Sequence, residues 1–240
     1  MSDFNIRQLK LYDQSLNGIE NKKLLINTIN AYSFNMSQND AFYAEALSKS
    51  DILLPDGISI VFAVRLITGQ KLKKIAGADL FAYEMKKLNS SGGSCFFLGS
   101  SVNTLNLISE RARSEFPNVK VNVYSPPYKP VFTDQDNSEM LQAVNSCKPD
   151  VLFVGMTAPK QEKWAYQNFS KLEAGHICAI GAVFDFYAGT IKRAPQWMIK
   201  LGLEWFYRLI REPRRLWSRY VIGNSKFCWL VLKEKLNLKR

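Results

Sequence analysis

This chain reads as an α/β protein, a mostly parallel sheet covered by helices, followed by a helical, basic C-terminal appendage. Three observations lead there. Residues 51–55 (DILLP), 94–98 (SCFFL) and 150–155 (DVLFVG) are short and almost wholly apolar, as strands buried on both faces must be. Helical stretches separate them, the alternation that produces a parallel, Rossmann-like sheet. The third observation is a shift in charge. From Lys192 to the end there are 13 Lys and Arg against 3 Glu, a net of +10, whereas the preceding residues hold 19 basic and 18 acidic side chains.

In chain order, residues 21–31 mix an amphipathic stretch with a short β-prone end, and residues 38–50 place Ala and Leu on one helical face. Residues 51–55 form a buried strand. Residues 57–68 (GISIVFAVRLIT) fit either period, and their length favours a helix. The strand at 94–98 runs into Gly99-Ser100-Ser101 and a helix to about Ser114. Residues 119–124 alternate as a strand does, a Pro-rich loop covers 125–130, and a helix spans 137–147. A strand at 150–155, a helix at 160–168 and a last strand at 176–183 (HICAIGAV) complete the body.

The length of 240 residues and 47% hydrophobic content suit one large core with a small addition, divided here as residues 1–194 and 195–240. Cys95, Cys147, Cys178 and Cys228 have no CxxC spacing, so neither a zinc site nor a disulfide framework is expected, and each is read as a small buried hydrophobe. The start, MSDFNIRQLKLYD, lacks the apolar segment of a signal peptide, and no run nears the roughly 20 apolar residues of a spanning helix. The expected location is cytoplasmic, with peripheral membrane contact.

Ligands of open parallel sheets bind outside the carboxyl ends of the strands. Four such ends carry polar or small residues: Pro55-Asp56-Gly57, Gly99-Ser100-Ser101, Gly155-Met156-Thr157 and Val183-Phe184-Asp185. Asp56 fits a helix N-cap and a general base equally; the roles compete, because capping bonds lower a carboxyl pKa. Asp185, inside an aromatic run, needs a partner, and Arg193 or a backbone amide would serve as well as substrate. Asp134-Gln135-Asp136 has the DxD form that binds divalent metal in many sugar transferases, yet its polar flanks favour a helix start. His176, the single histidine, begins an apolar strand and is a poor triad member. Gly99-Ser100-Ser101 lacks a dinucleotide fingerprint. Pro159 opens a helix whose free amides could face phosphate.

The appendage holds Trp197, Trp205, Trp217 and Trp229, four of the five tryptophans. After Pro195, the residues Trp197, Met198, Leu201, Trp205, Leu209 and Ile210 are spaced for burial. Arg208, Arg211, Arg215 and Arg219 would form one face of a helix running straight past Pro213. Arginine interleaved with aromatic residues suits lipid-linked phosphate at a membrane interface, with nucleic acid the rival partner on composition alone.

Ordered blocks then carry a resemblance. Thr28-Ile29-Asn30, Leu54-Pro55-Asp56-Gly57-Ile58-Ser59-Ile60-Val61, Gly77-Ala78-Asp79-Leu80 and Pro159-Lys160-Gln161-Glu162 are followed by Gly181-Ala182-Val183-Phe184-Asp185-Phe186-Tyr187-Ala188-Gly189, Arg193-Ala194-Pro195-Gln196-Trp197 and Gly202-Leu203-Glu204-Trp205. Over about residues 25–225 the chain resembles the WecG/TagA/CpsF family of bacterial glycosyltransferases. The resemblance implies inverting, metal-independent transfer, without a cofactor, from a UDP-sugar to a polyprenyl-diphosphate-linked acceptor in surface polysaccharide synthesis. N-acetylmannosamine, its uronic acid and glucose all occur among the family's transferred sugars.

By the same resemblance Asp56 is the catalytic base, and Thr28, Asn30, Gln161 and Asp185 belong to the substrate pocket. Lys74 stands where the family commonly has Arg, exchanging a bidentate contact for a point charge. Arg208 and Arg215 fit the appendage's arginine pattern; a third arginine is expected at Ser218, and Arg219 lies beside it. The expected partners are the UDP-sugar, the lipid-linked acceptor and an anionic membrane surface, with no nucleic acid and with homo-oligomerisation left open. A nucleotide-dependent oxidoreductase and a basic nucleic-acid-binding module are the alternatives.

Overall fold

A computed structural model describes residues 5–237. Six strands form one all-parallel sheet: β1 (Leu24–Ile29), β2 (Ile52–Pro55), β3 (Ser94–Gly99), β4 (Lys120–Tyr124), β5 (Val151–Gly155) and β6 (His176–Ala179). Their spatial order is β2-β1-β6-β5-β3-β4. The chain lays down β1 and β2 on one side, crosses to β3 and β4 on the other, and fills the centre with β5 and β6. This arrangement leaves a crevice outside the carboxyl ends of the central strands.

The helices are α1 (Ala31–Ser37), α2 (Ala41–Ser48), α3 (Ile58–Thr68), α4 (Gly77–Ser91), α5 (Val102–Glu115), α6 (Asp134–Cys147), α7 (Lys160–Asn168) and α8 (Val183–Ala188) in the body. The C-terminal part adds α9 (Gln196–Lys200), α10 (Glu204–Arg211), α11 (Pro213–Trp217), a π-helical turn at Ser218–Ile222, and α12 (Gly223–Asn237).

Alternation along the strands sorts the core into layers. Ile26, Leu54, Phe97, Phe153 and Cys178 face Phe81 and Met85 of α4 and Phe184 of α8. Leu25, Phe96, Leu98, Leu152 and Ile177 face Met140 and Val144 of α6 and Trp164 of α7. A third cluster joins Ile29, Leu53, Phe34, Tyr43 and Ile60 to Phe227 and Val231 of α12. Phe227 meets Phe34 edge-on at 5.5 Å, the Asn35 amide donates to Gly223 O at 2.6 Å, and Glu234 accepts from the Ile6 and Arg7 amides at 3.0 Å each. Two buried apolar side chains contribute roughly 1.5–3 kcal/mol each, which holds α12 against the body.

The strands expected at 51–55, 94–98, 119–124 and 150–155 are present within a residue or two. Four local expectations change. Residues 21–31 resolve into β1 and the start of α1, because Asn30 accepts from the Tyr32 and Ser33 amides and begins a helix there. The strand expected to reach Val183 stops at Ala179, since Gly181 (φ 53°) turns the chain into α8. Asp185 therefore sits on a helix rather than at a strand end. In the appendage only Met198 of the expected apolar set is buried; Trp197 (61%), Leu201 (66%) and Ile210 (63%) are exposed. Cys147 and Cys228 are also exposed, while Cys95 and Cys178 are buried as expected.

Candidate active site

Three of the strand ends singled out above, and the start of α8, converge on one cleft of about 1410 Å³. The residues that the family resemblance assigned to the site, with Arg219, all line it: Thr28, Asn30, Asp56, Lys74, Gln161, Asp185, Arg208, Arg215 and Arg219.

Asp56 follows β2 directly. Its amide donates to Ile29 O at 2.9 Å, extending the sheet by one residue. Gly57 then turns the chain into α3 at φ 139°, a conformation that side chains other than hydrogen disfavour. The Asp56 carboxyl makes no cap bond to α3, so the N-cap alternative fails and the group is left facing the cleft. The Ile75 amide donates to Pro55 O at 3.1 Å and thereby brings Lys74 alongside. Burial by the surrounding protein raises Asp56, and Glu204 and Asp79 add to this; Lys74 and Arg193 oppose it. The net effect puts Asp56 at about 6.

Two of those neighbours form a small ionic cluster with a third. Glu204 of α10 takes Lys74 Nζ at 3.8 Å and Arg193 Nε at 3.2 Å. Arg193 is thus not the partner of Asp185. That carboxyl lies 3.5 Å from the Thr190 hydroxyl, a long contact, and burial raises its pKa against the pull of Thr190, Arg208 and Arg215.

Thr28 is half-buried near the end of β1. Asn30 spends its carbonyl oxygen on the first amides of α1. Gln161 is buried; its carbonyl accepts from the Met156 amide at 3.2 Å and its amide donates to Glu162 at 3.0 Å, so it ties the turn after β5 to α7. Glu162, which the residue patterns did not single out, is a further acid on this cleft and is buried. One of its carboxyl oxygens has no hydrogen-bond partner, and burial pushes the group up to about 7.

The opposite wall is basic. The arginines do not share one straight helical face: the backbone breaks at Glu212 (φ −132°, ψ 57°), where Pro213 starts a new helix. Arg211, on α10 like Arg208 but three residues on, lies over Tyr207 outside the cleft, at 5.4 Å. Arg208 lies over Phe186 at 5.4 Å, and Arg219, carried by the π-helical turn, stacks on Tyr32 at 4.2 Å. Both keep a buried Nε without a hydrogen-bond partner. Arg215 holds Glu212 at 2.6 Å through its Nε. At the β3–β5 side, Ser100 adopts φ 58°, unusual for a residue with a side chain, and its carbonyl accepts from the Ser125 hydroxyl at 2.8 Å.

The other motifs are structural. Asp134 and Asp136 lie in the first turn of α6; Asp136 reciprocates the Thr133 cap, and the Lys129 ion pair holds it down at about 2. His176 sits at the amino end of the sheet between Glu84 (2.8 Å) and Glu20 O (2.9 Å), away from the cleft. Among the described residues no three His, Cys, Asp or Glu side chains converge as a metal-ligand set.

A model of the glycosyl transferase WecG/TagA/CpsF family matches residues 3–240. The chain belongs to this family. It is 34% identical over 215 residues to the N-acetylglucosaminyldiphosphoundecaprenol N-acetyl-beta-D-mannosaminyltransferase of Bacillus subtilis (strain 168), covering 90% of this chain and 81% of that protein. The Bacillus spizizenii protein of the same name is 32% identical over 217 residues, with 90% and 81% covered. The one from Staphylococcus aureus (strain MW2) is 26% identical over 221 residues, with 90% and 83% covered. This glycosyltransferase is therefore an enzyme of sugar transfer, and neither the oxidoreductase nor the nucleic-acid-binding alternative is kept.

Proposed function

We propose that this glycosyltransferase moves an N-acetylmannosaminyl group from a UDP-sugar to a hydroxyl of a polyprenyl-diphosphate-linked acceptor sugar, with inversion and without a metal ion. The relatives' names support the transferred sugar and the acceptor class. The observation that carries the chemistry is Asp56: a desolvated, uncapped carboxyl at about 6, facing a cleft whose other wall carries Arg208, Arg215 and Arg219.

A base at that value is ionised at neutral pH and still basic enough to take a proton. Asp56 receives the acceptor hydroxyl proton as its oxygen attacks the anomeric carbon, and the bond from that carbon to UDP breaks on the opposite face. Negative charge grows on the departing diphosphate, and guanidinium groups in a water-poor cleft stabilise it without reorganising. Arg215 would have to exchange Glu212 for phosphate. Thr28, Asn30, Gln161 and Asp185 position substrate, and Lys74 supplies a point charge where a guanidinium would bind in bidentate fashion.

The division into a catalytic core, residues 1–194, and an appendage, residues 195–240, belongs to this reading. So does docking on the inner face of the membrane. Among the described residues no helix is long and apolar enough to cross a bilayer. Exposed Trp197, Trp217 and Trp229 beside Lys and Arg are suited to an anionic interface.

The test is a screen of UDP-sugars against a short-chain lipid-diphosphate acceptor, with products identified by mass and anomeric configuration by NMR. Transfer from UDP-N-acetylmannosamine that survives EDTA is the expected result. Loss on chelation overturns the metal-free part, and a different accepted sugar overturns the donor assignment.

A further inference from the structure

The appendage enters the site with a negative charge as well as with arginines. Glu204 opens α10, and its carboxylate is half-buried at 20% exposure between Lys74 (3.8 Å) and Arg193 (3.2 Å). Lys74 belongs to the loop tied to Pro55, next to Asp56, and Arg193 to the segment leading into α9. One side chain of the appendage therefore closes an ionic cluster with two cations at the base.

We propose that Glu204 is a positioning residue for the reaction: clamped by Lys74 and Arg193, its carboxylate latches α10 over the cleft and engages both cations that flank Asp56. The part of this that concerns the base rests on the reading of Asp56 given above.

Electrostatics demand such a counter-charge. A carboxylate flanked by an uncompensated ammonium and guanidinium becomes a weak base, because the nearby cations favour its ionised form. The charged groups around Asp56 are Lys74, Asp79, Arg193 and Glu204. Asp79 is committed elsewhere, accepting from the Ala76 amide at 2.8 Å as the reciprocal cap of α4. That leaves Glu204 as the carboxylate that is ion-paired to both cations, and it raises Asp56 while Lys74 and Arg193 lower it. Docking of the appendage and basicity of Asp56 are thereby coupled through one residue. An undocked appendage leaves Asp56 a poorer base at the moment when water has free access to the donor.

Glu204→Gln tests this with readouts that a purely structural role would not move together. The Asp56 carboxyl is titrated by 13C NMR on aspartate-labelled full-length protein, its resonance assigned by its loss in Asp56→Asn; no substrate is needed. Its midpoint should fall by about one pH unit in Glu204→Gln. Trypsin cleavage after Arg208 and Arg211 should accelerate about tenfold as the latch loosens, and turnover at pH 7 should drop about three- to tenfold. Glu204→Asp should restore both titration and protection in part, and circular dichroism melting checks that each variant is folded. If Glu204→Gln unfolds, Arg193→Gln, which removes one arm of the clamp, takes its place: it should loosen the appendage likewise, and unchanged protection overturns the latch.

An unmoved Asp56 titration or unchanged cleavage in folded Glu204→Gln overturns the proposal. Failure of the functional reading looks different: Asp56→Asn would then turn over normally, whatever the titration and cleavage report.

Discussion

At the amino end of the sheet the buried Glu84 and the exposed Asp51 and Asp150 all have partners. Glu84 meets His176 at 2.8 Å, Asp51 accepts from the Leu25 amide at 2.7 Å, and Asp150 accepts from the Ser94 amide at 2.7 Å and its hydroxyl at 2.9 Å. At the carboxyl end Asp56 caps nothing and Glu162 keeps an unpartnered oxygen, and burial pushes them up to about 6 and about 7. The same side-chain types are satisfied where they hold the fold and left unsatisfied where a substrate would meet them. A sheet that settles its polar groups at one end can tolerate strained ionisation at the other.

The largest effect that separates the two ends is expected for Asp56→Asn. Turnover should fall by about 10²–10⁴-fold while stability at pH 8 holds or rises. The native carboxyl keeps its proton up to about 6 whereas the unfolded one releases it near 3.8, so this group's contribution to stability falls as pH rises through that window. The variant should gain on the wild type by no more than about 3 kcal/mol as pH goes from 4 to 8. A urea series across that range, together with initial rates, checks both. A catalytically normal variant would end the contrast between the ends.

Arg208→Ala with Arg215→Ala comes next, with an expected loss of about 10²–10³-fold in turnover. The Arg215–Glu212 pair lies within the appendage and is partly exposed, so the melting temperature should move little. Unchanged kinetics in a folded variant would remove these arginines from the reaction.

At the opposite end the readout is stability. Both His176 ring nitrogens face oxygen atoms that accept, so the protonated ring can donate to both. Burial works against the ring's charge, but the Glu84 hydrogen bond and charge outweigh it, and His176 is raised. Its stabilisation is full below the unfolded value of 6.5 and is lost as pH rises through the higher folded value. Glu84→Ala should destabilise by roughly 3–5 kcal/mol. Turnover per folded molecule should stay normal, as judged by denaturant titration and active-fraction kinetics.

The smallest effect sharpens the comparison from the other side. Glu162→Gln should gain on the wild type by no more than about 3 kcal/mol as pH goes from 4 to 8, because only the ionised acid is penalised by burial and the native group is held at about 7 against 4.5 when unfolded. An equal stability at both pH values would mean that Glu162 is partnered after all.

Much of the body was legible in the residues. Asp51–Pro55, the SCFFL run and the DVLFVG run are almost wholly apolar, as strands of a parallel sheet covered by helices on both faces must be. Asp56, directly after one of them and before a glycine, was visible as a candidate for the same reason. The helices α1, α4 and α8 were not. Residues that open α4 include Gly77 and lack a conventional cap, its first free amide being taken by Asp79 from inside the helix. The run into α8 is as apolar as the strand before it, and only the positive φ at Gly181 separates them. Glu162, Arg193 and Glu204 lay in blocks that carried the family resemblance, yet nothing local revealed what each side chain meets.

By itself the sequence determined the α/β class, the parallel strands, the carboxyl-end position of Asp56 and the basic, aromatic character of the appendage. These follow from periodicity and composition, which act over a few neighbouring residues. The tertiary structure decided which carboxyl stands uncapped and raised at the cleft, which arginines reach the cleft and how the C-terminal helices are held. Ionisation depends on burial and on charges a few ångströms away. Around Asp56 those charges come from Lys74, Arg193 and Glu204, which only the folded chain brings together.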